Sequence, residues 1–206
     1  MKNKENQELT EFQIEWINGC TKYGTWNINK ETGLIDVHGD FRCSYQGIKD
    51  FNGVKFGYVK GCFDCSHNQL TSIVGAPKSV RVFICNNNEL TSLEGCPQEI
   101  TDMQVFDCSH NKLTNLIGAP KIIKAGLNCS NNLIVSLEGA PAHSNYGFNY
   151  FENNPVSESI LAEIYDIMKD GNITYQDALD VAKNQIVDFY SKKMNDDLEE
   201  LSKLVK

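Results

Sequence analysis

Apolar side chains return along this chain in a fixed phrase of just over twenty residues. Cys43, Cys65, Cys85, Cys108 and Cys129 stand 22, 20, 23 and 21 residues apart, and a further step of 22 reaches Phe151. Around these anchors the text repeats. Phe63-Asp64-Cys65-Ser66-His67-Asn68-Gln69-Leu70-Thr71-Ser72-Ile73 returns as Phe83-Ile84-Cys85-Asn86-Asn87-Asn88-Glu89-Leu90-Thr91-Ser92-Leu93. It returns again from Phe106 to Leu116, and in looser form from Leu127 to Leu137. Each of these four copies closes on a Gly-x-Pro corner, at Gly75, Gly95, Gly118 and Gly139. Such a period predicts stacked units, none of which can bury its own apolar edge alone.

Within a unit, Phe63 and Cys65 alternate with Asp64, so a short strand sends the first two inward and the third outward. Stacking the units pairs these strands in parallel, about 4.8 Å apart. The recurring Asn68, Asn88, Asn111, Asn132 and Asn154 fall where the chain leaves the strand. There a primary amide can both donate to and accept from backbone groups that lack ladder partners. The Gly supplies a backbone angle other residues resist, and Pro holds an extended corner.

The two ends differ from the middle. Phe41-Arg42-Cys43 begins a degenerate first copy with Gln46 at the Asn position. Before it, Thr10 to Gly19 reads as a helix offering Phe12, Ile14, Trp16 and Ile17 for burial. Trp26–Ile28 and Leu34–Val37 read as a hairpin around Glu31-Thr32-Gly33. After Pro155, a helix with Ile160, Leu161, Ile164, Ile167 and Met168 on one stripe is expected, capped by Ser157 or Ser159 and stopped at Gly171. A second helix follows Thr174, carrying Leu179, Ala182, Ile186, Phe189 and Tyr190, then a last segment with Leu198, Leu201 and Val205. The predicted organisation is an N-terminal helix–hairpin cap over 1–40, a repeat array over 41–154 and a C-terminal helical cap over 155–206.

The repeat resembles the leucine-rich repeat, with Cys at the central strand Leu position. That likeness implies an α/β solenoid with short parallel strands. The Asn-x-Leu-Thr-Ser-Leu-x-Gly-x-Pro text, with its helix–hairpin start and terminal helix after Asn154-Pro155-Val156-Ser157, resembles short repeat proteins encoded by bacteriophages. The likeness implies a phage origin and a host bacterial cytoplasm. The text is also similar to the Leu-Thr-Ser-Leu-Pro repeats of bacterial effector ubiquitin ligases, whose nucleophile sits in a Cys-x-Asp motif. Here Cys62-Phe63-Asp64 lies inside a repeat strand and residues 155–206 contain no cysteine, so ligase activity is not expected.

Charge and chemistry narrow the function. The net charge of −8 and the absence of a Lys/Arg cluster argue against a nucleic-acid partner. No run approaches the ~18 apolar residues of a membrane span, and no secretory leader is visible, so a cytoplasmic setting with free thiols is expected. Cys20 and Cys96 are the thiols expected to be exposed. Cysteines in a line at strand spacing cannot converge on one zinc ion, so neither metal nor other cofactor is expected. His38, His67, His110 and His143 form no nucleophile–base pair by position, and no catalytic activity is expected.

Strand alternation places Arg42, Asp64, Ile84, Asp107, Asn128 and Tyr150 on the concave face, with Ser44, Ser66, Asn86, Ser109, Ser130 and Glu152 following as a second column. Tyr45, His67, Asn87, His110, Asn131 and Asn153 make a third. The expected binding residues are Arg42, Tyr45, Asp64, His67, Ile84, Asn86, Asp107, His110, Asn128 and Tyr150. A polar, mildly acidic ribbon with isolated apolar anchors suits a protein partner. The competing expectation is a structural or virion-assembly component that oligomerises through its C-terminal helix.

Overall fold

The computed structural model describes residues 8–100, 106–123, 126–141, 143–144, 150–155, 164–167, 170 and 177–178. Their architecture is a parallel β-solenoid: coils of chain stacked so that equivalent residues sit above one another. Among the described residues strands outnumber helices, and the repeat solenoid with short parallel strands expected from the sequence is present. The elements in chain order are α1 (Glu11–Cys20), β1 (Thr21–Lys22), β2 (Trp26–Ile28), β3 (Ile35–Val37), β4 (Asp40–Arg42), β5 (Phe56–Asp64), β6 (Ser79–Ile84), β7 (Glu99–Ile100), β8 (Phe106–Asp107), β9 (Ile122–Ile123), β10 (Leu127–Asn128) and β11 (His143–Ser144).

Each full coil contributes two strand segments, so the sheet carries two parallel ladders. The first, foreseen from the Phe-x-Cys phrase, pairs Arg42 with Asp64, Asp64 with Ile84, Ile84 with Asp107 and Asp107 with Asn128. A bridge continues it from Asn128 to Tyr150. The second follows the Gly-x-Pro corners and pairs Tyr58 with Ser79, Ser79 with Glu99, Glu99 with Ile122 and Ile122 with His143. β5 and β6 run through both ladders.

The interior is built in columns. Phe41, Phe63, Phe83 and Phe106 stack with centroids 5.3, 5.7 and 6.4 Å apart and planes inclined by 17° to 19°. Beside them stand the fully buried Cys43, Cys65, Cys85, Cys108 and Cys129, then Leu70, Leu90, Leu113 and Ile134. The Asn column performs the task its position predicts. Asn111 Nδ2 donates to the carbonyls of Cys85, Cys108 and Ser109 at 3.2, 3.0 and 3.1 Å, and its Oδ1 accepts the Leu90 N–H at 3.0 Å. Asn88 and Asn132 repeat the pattern one coil to either side. Each amide therefore ties its own coil to the one before.

At the first end, Thr10 caps α1 in a reciprocal capping box with Gln13. Ile17 and Cys20 are buried, and the Trp16 ring meets Phe41 edge-on at 5.3 Å. Phe12 and Ile14 are not buried as expected; they point to solvent, at 63% and 37% exposure. α1 presents only one narrow stripe to the coil, and these two fall outside it. β2 and β3 form the antiparallel hairpin, with Trp26 opposite Val37. β3 also pairs in parallel with β5, so the sheet runs unbroken across residue 40.

At the far end, residues 164–167 are helical, and Ile164 and Tyr165 are buried. The Tyr165 hydroxyl donates to the Pro141 carbonyl at 3.4 Å, and its ring packs 5.8 Å from Phe151. The remaining residues expected in the first C-terminal helix, Ser157, Ser159, Ile160, Leu161, Met168 and Gly171, lie outside the described residues. So do those expected in the second helix and the last segment, from Leu179 to Val205. Among the described residues no helix is long and apolar enough to cross a membrane.

Replacing Asn111 by Ala leaves the Leu90 N–H without its acceptor in the interior and removes one of two donors from each of the Cys85, Cys108 and Ser109 carbonyls. The expected loss is about 2 kcal/mol of unfolding free energy in urea titration. Thr114→Ala, on the exposed side of the same coil, is expected to stay within about 0.5 kcal/mol.

Candidate binding face

Six of the residues expected to bind a partner form one continuous row. Arg42, Asp64, Ile84, Asp107, Asn128 and Tyr150 are successive partners along the first ladder, and all keep exposed or partly exposed side chains. Ile84 is the apolar member between two carboxylates. Arg42 is engaged within the chain: its Nε and Nη2 donate to Asp40 Oδ2 at 3.2 and 2.9 Å. Burial works to raise the Asp40 carboxyl. The Cys62 N–H and the Arg42 guanidinium outweigh it and hold the group below its usual range.

Much of this row also shapes the turn that follows it. Asp64 Oδ1 accepts from the Ser66 N–H and hydroxyl at 3.1 and 2.6 Å. Asn128 does the same for Ser130, and Asp107 accepts the Ser109 N–H at 2.9 Å. Ser66, Ser109 and Ser130 are thereby buried, which corrects the expectation that their column lies on the open face. The coil of Ile84 breaks the rule. It has no carboxylate to cap the turn, and Asn86 stands in the Ser place with its Oδ1 buried and unpaired.

Tyr45, His67 and His110 belong to a second row beside the first, and its backbone is distinctive. Tyr45, His67, Asn87, His110, Asn131 and Asn153 all have φ between +52° and +58°. Asn and His are enriched in this left-handed region, so the two histidines answer a backbone demand. Asn131, Asn87 and Asn153 in the same slot were the available signal. Tyr45, 75% exposed, stacks on the His67 ring at 4.2 Å with planes 10° apart. Asn153 Nδ2 donates to Asn131 Oδ1 at 2.9 Å. Planar side chains thus line one border of the face.

The thiols take no part in this surface. All eight cysteines are free and buried, including Cys20 and Cys96, which were expected to be exposed. Cys96 occupies the small-residue column of Ala76, Ala119 and Ala140, and Cys20 is the buried last residue of α1. Cys65, Cys85 and Cys108 point their sulfur at the carbonyl of the next coil, 3.3 to 3.6 Å away. No group of three His, Cys, Asp or Glu side chains is placed to hold a metal ion among the described residues.

Burial pushes these thiols up, Cys62 to about 11 and Cys129 to about 12, by denying the thiolate its hydration. The unfolded chain sheds its thiol protons from about pH 8.5 upward while the folded chain keeps them. This part of the stability is complete below that pH and is lost as pH rises toward the folded values. Each enclosed thiol is expected to remove about 1.4 kcal/mol per pH unit in that window. Urea titrations at pH 8, 9 and 10 check this; equal midpoints at all three would contradict the enclosure of the thiols.

No protein-family model, curated protein or solved structure matches this chain, so its function is read from the face itself.

Proposed function

We propose that this chain is a non-catalytic interaction module of the leucine-rich-repeat type, which binds a protein partner on the face of its first ladder. The observation that carries this is the registered row in which Ile84 stands between Asp64 and Asp107. An apolar side chain on a rigid sheet face can be desolvated at little cost in conformational entropy, and its flanking carboxylates favour a partner with basic residues beside an apolar one. Tyr150 adds a second anchor at one end of the row and Tyr45 a third at the border.

The repeat type is supported by the inward strand cysteines, the Asn amide column and the Gly-x-Pro corners acting together. α1 and the hairpin, with Ile17, Cys20 and Trp16 against Phe41 and Phe56, serve as the cover of the first coil. A binding role fits the polar residues better than a catalytic one. Asp64 and Asp107 accept the turn hydrogen bonds of Ser66 and Ser109, and His67 and His110 fill left-handed backbone positions, so a folding role accounts for each of them. The resemblance to phage-encoded repeat proteins makes a protein of the bacterial host cytoplasm the partner we propose.

The test compares the native chain with an Ile84→Asp, Tyr150→Ala variant in affinity capture from bacterial lysate, with thermal melts as the folding control. The expected result is one partner recovered by the native chain and reduced at least tenfold for a variant that still melts cooperatively. Equal recovery of that partner by both would rule out this face as the interface.

A further inference from the structure

The small residues of the Gly-x-Pro corners leave a groove where the hairpin meets the second ladder. Leu34 forms one wall, Phe56 the start of β5 and the floor, and Ala76 and Cys96 the corners of two successive coils. Its volume is about 620 Å³, within the range of about 300–1,000 Å³ typical of small-molecule sites. The floor is apolar, with Phe56, Ala76 and Cys96 all buried, while Val74 at its edge is 62% exposed.

The charge of this groove is opposite to that of the chain. Among the described residues its only charged lining side chains are Lys55 and Lys78, in a protein of net charge −8. Both are exposed, and among the described residues neither is paired with a carboxylate. Their backbones are fixed by the sheet: the Lys55 carbonyl accepts the Ile35 N–H at 3.0 Å, and the Lys78 N–H donates to Gly57 at 2.9 Å. Gln98 is held beside them, its Nε2 donating to the carbonyls of Cys96 and Gly118 at 3.2 Å each.

We propose that this groove binds a small anionic amphiphile, with one carboxylate or sulfonate carried on an aromatic or medium-chain acyl body. The apolar body lies on Phe56, Ala76 and Cys96, and the anionic head sits between the ammonium groups of Lys55 and Lys78. Charge complementarity selects this class over neutral or cationic amphiphiles, because an anion there meets two cations and, among the described residues, no lining carboxylate. The site is independent of the first-ladder face, whose charged residues are chiefly acidic.

The probe is 8-anilinonaphthalene-1-sulfonate, titrated into the full chain at neutral pH and followed by fluorescence. Saturable one-to-one binding is expected, weakened at least tenfold in Lys55→Gln, Lys78→Gln. A Lys60→Gln, Lys112→Gln control, which removes the same charge elsewhere, is expected to bind within twofold of the native chain. Decanoate is expected to displace the probe, and decylamine is not. The proposal is overturned by non-saturable binding, by equal weakening in the two double variants, or by displacement with decylamine as effective as with decanoate.

Discussion

The structure depends on how a coiled backbone disposes of polar groups that its ladders leave over. Where the chain turns out of each first-ladder strand, carbonyls such as those of Cys85 and Cys108 point into the interior, where no water can serve them. An unpaired group there costs more than a typical hydrogen bond gains. A primary amide is the one neutral side chain that offers two donors and an acceptor in a plane, and one Asn per coil meets the need. Because its donors reach two coils and its acceptor takes an N–H from the earlier one, the amide also sets the spacing of the stack. Phenylalanine, cysteine and leucine then fill the space in columns at the same spacing.

The same turn governs the outer surface. The chain must take a left-handed step one residue before each Asn, which favours Asn and His at that place and gives the face its polar border. The Asp or Asn two residues before the buried Ser closes the turn from the other side. Polarity on this face is therefore in large part an instrument of folding, and a partner site has to be sought where the pattern is broken. The break falls at Ile84 and Asn86, in the coil where an apolar residue replaces the capping carboxylate and the amide oxygen of Asn86 goes unpaired.

The coil period, the inward Phe and Cys, the Asn column, the hairpin and the row from Arg42 to Tyr150 were legible in the sequence because identical residues recur at fixed offsets. The second ladder was not. Its residues after Pro, such as Ser79-Val80, Glu99-Ile100 and Ile122-Ile123, share a position but no common identity, so no column of letters marks them. Cys96 misled because it was weighed as a thiol, whereas its column of alanines places it inside. Ser66 misled because strand alternation was carried two residues past the end of the strand, into a turn in which Ser66 bonds back to Asp64. Phe12 and Ile14 show the limit of reading burial from hydrophobicity when a helix meets its neighbour along one stripe.

Backbone hydrogen exchange tests most directly whether the coils stand or fall together. The amides of Leu70, Leu90 and Leu113, each bonded to an Asn oxygen of the next coil, are predicted to exchange only through global unfolding, with one shared free energy. If these three amides exchange at unrelated rates set by local opening, the Asn column does not bind the coils into one unit.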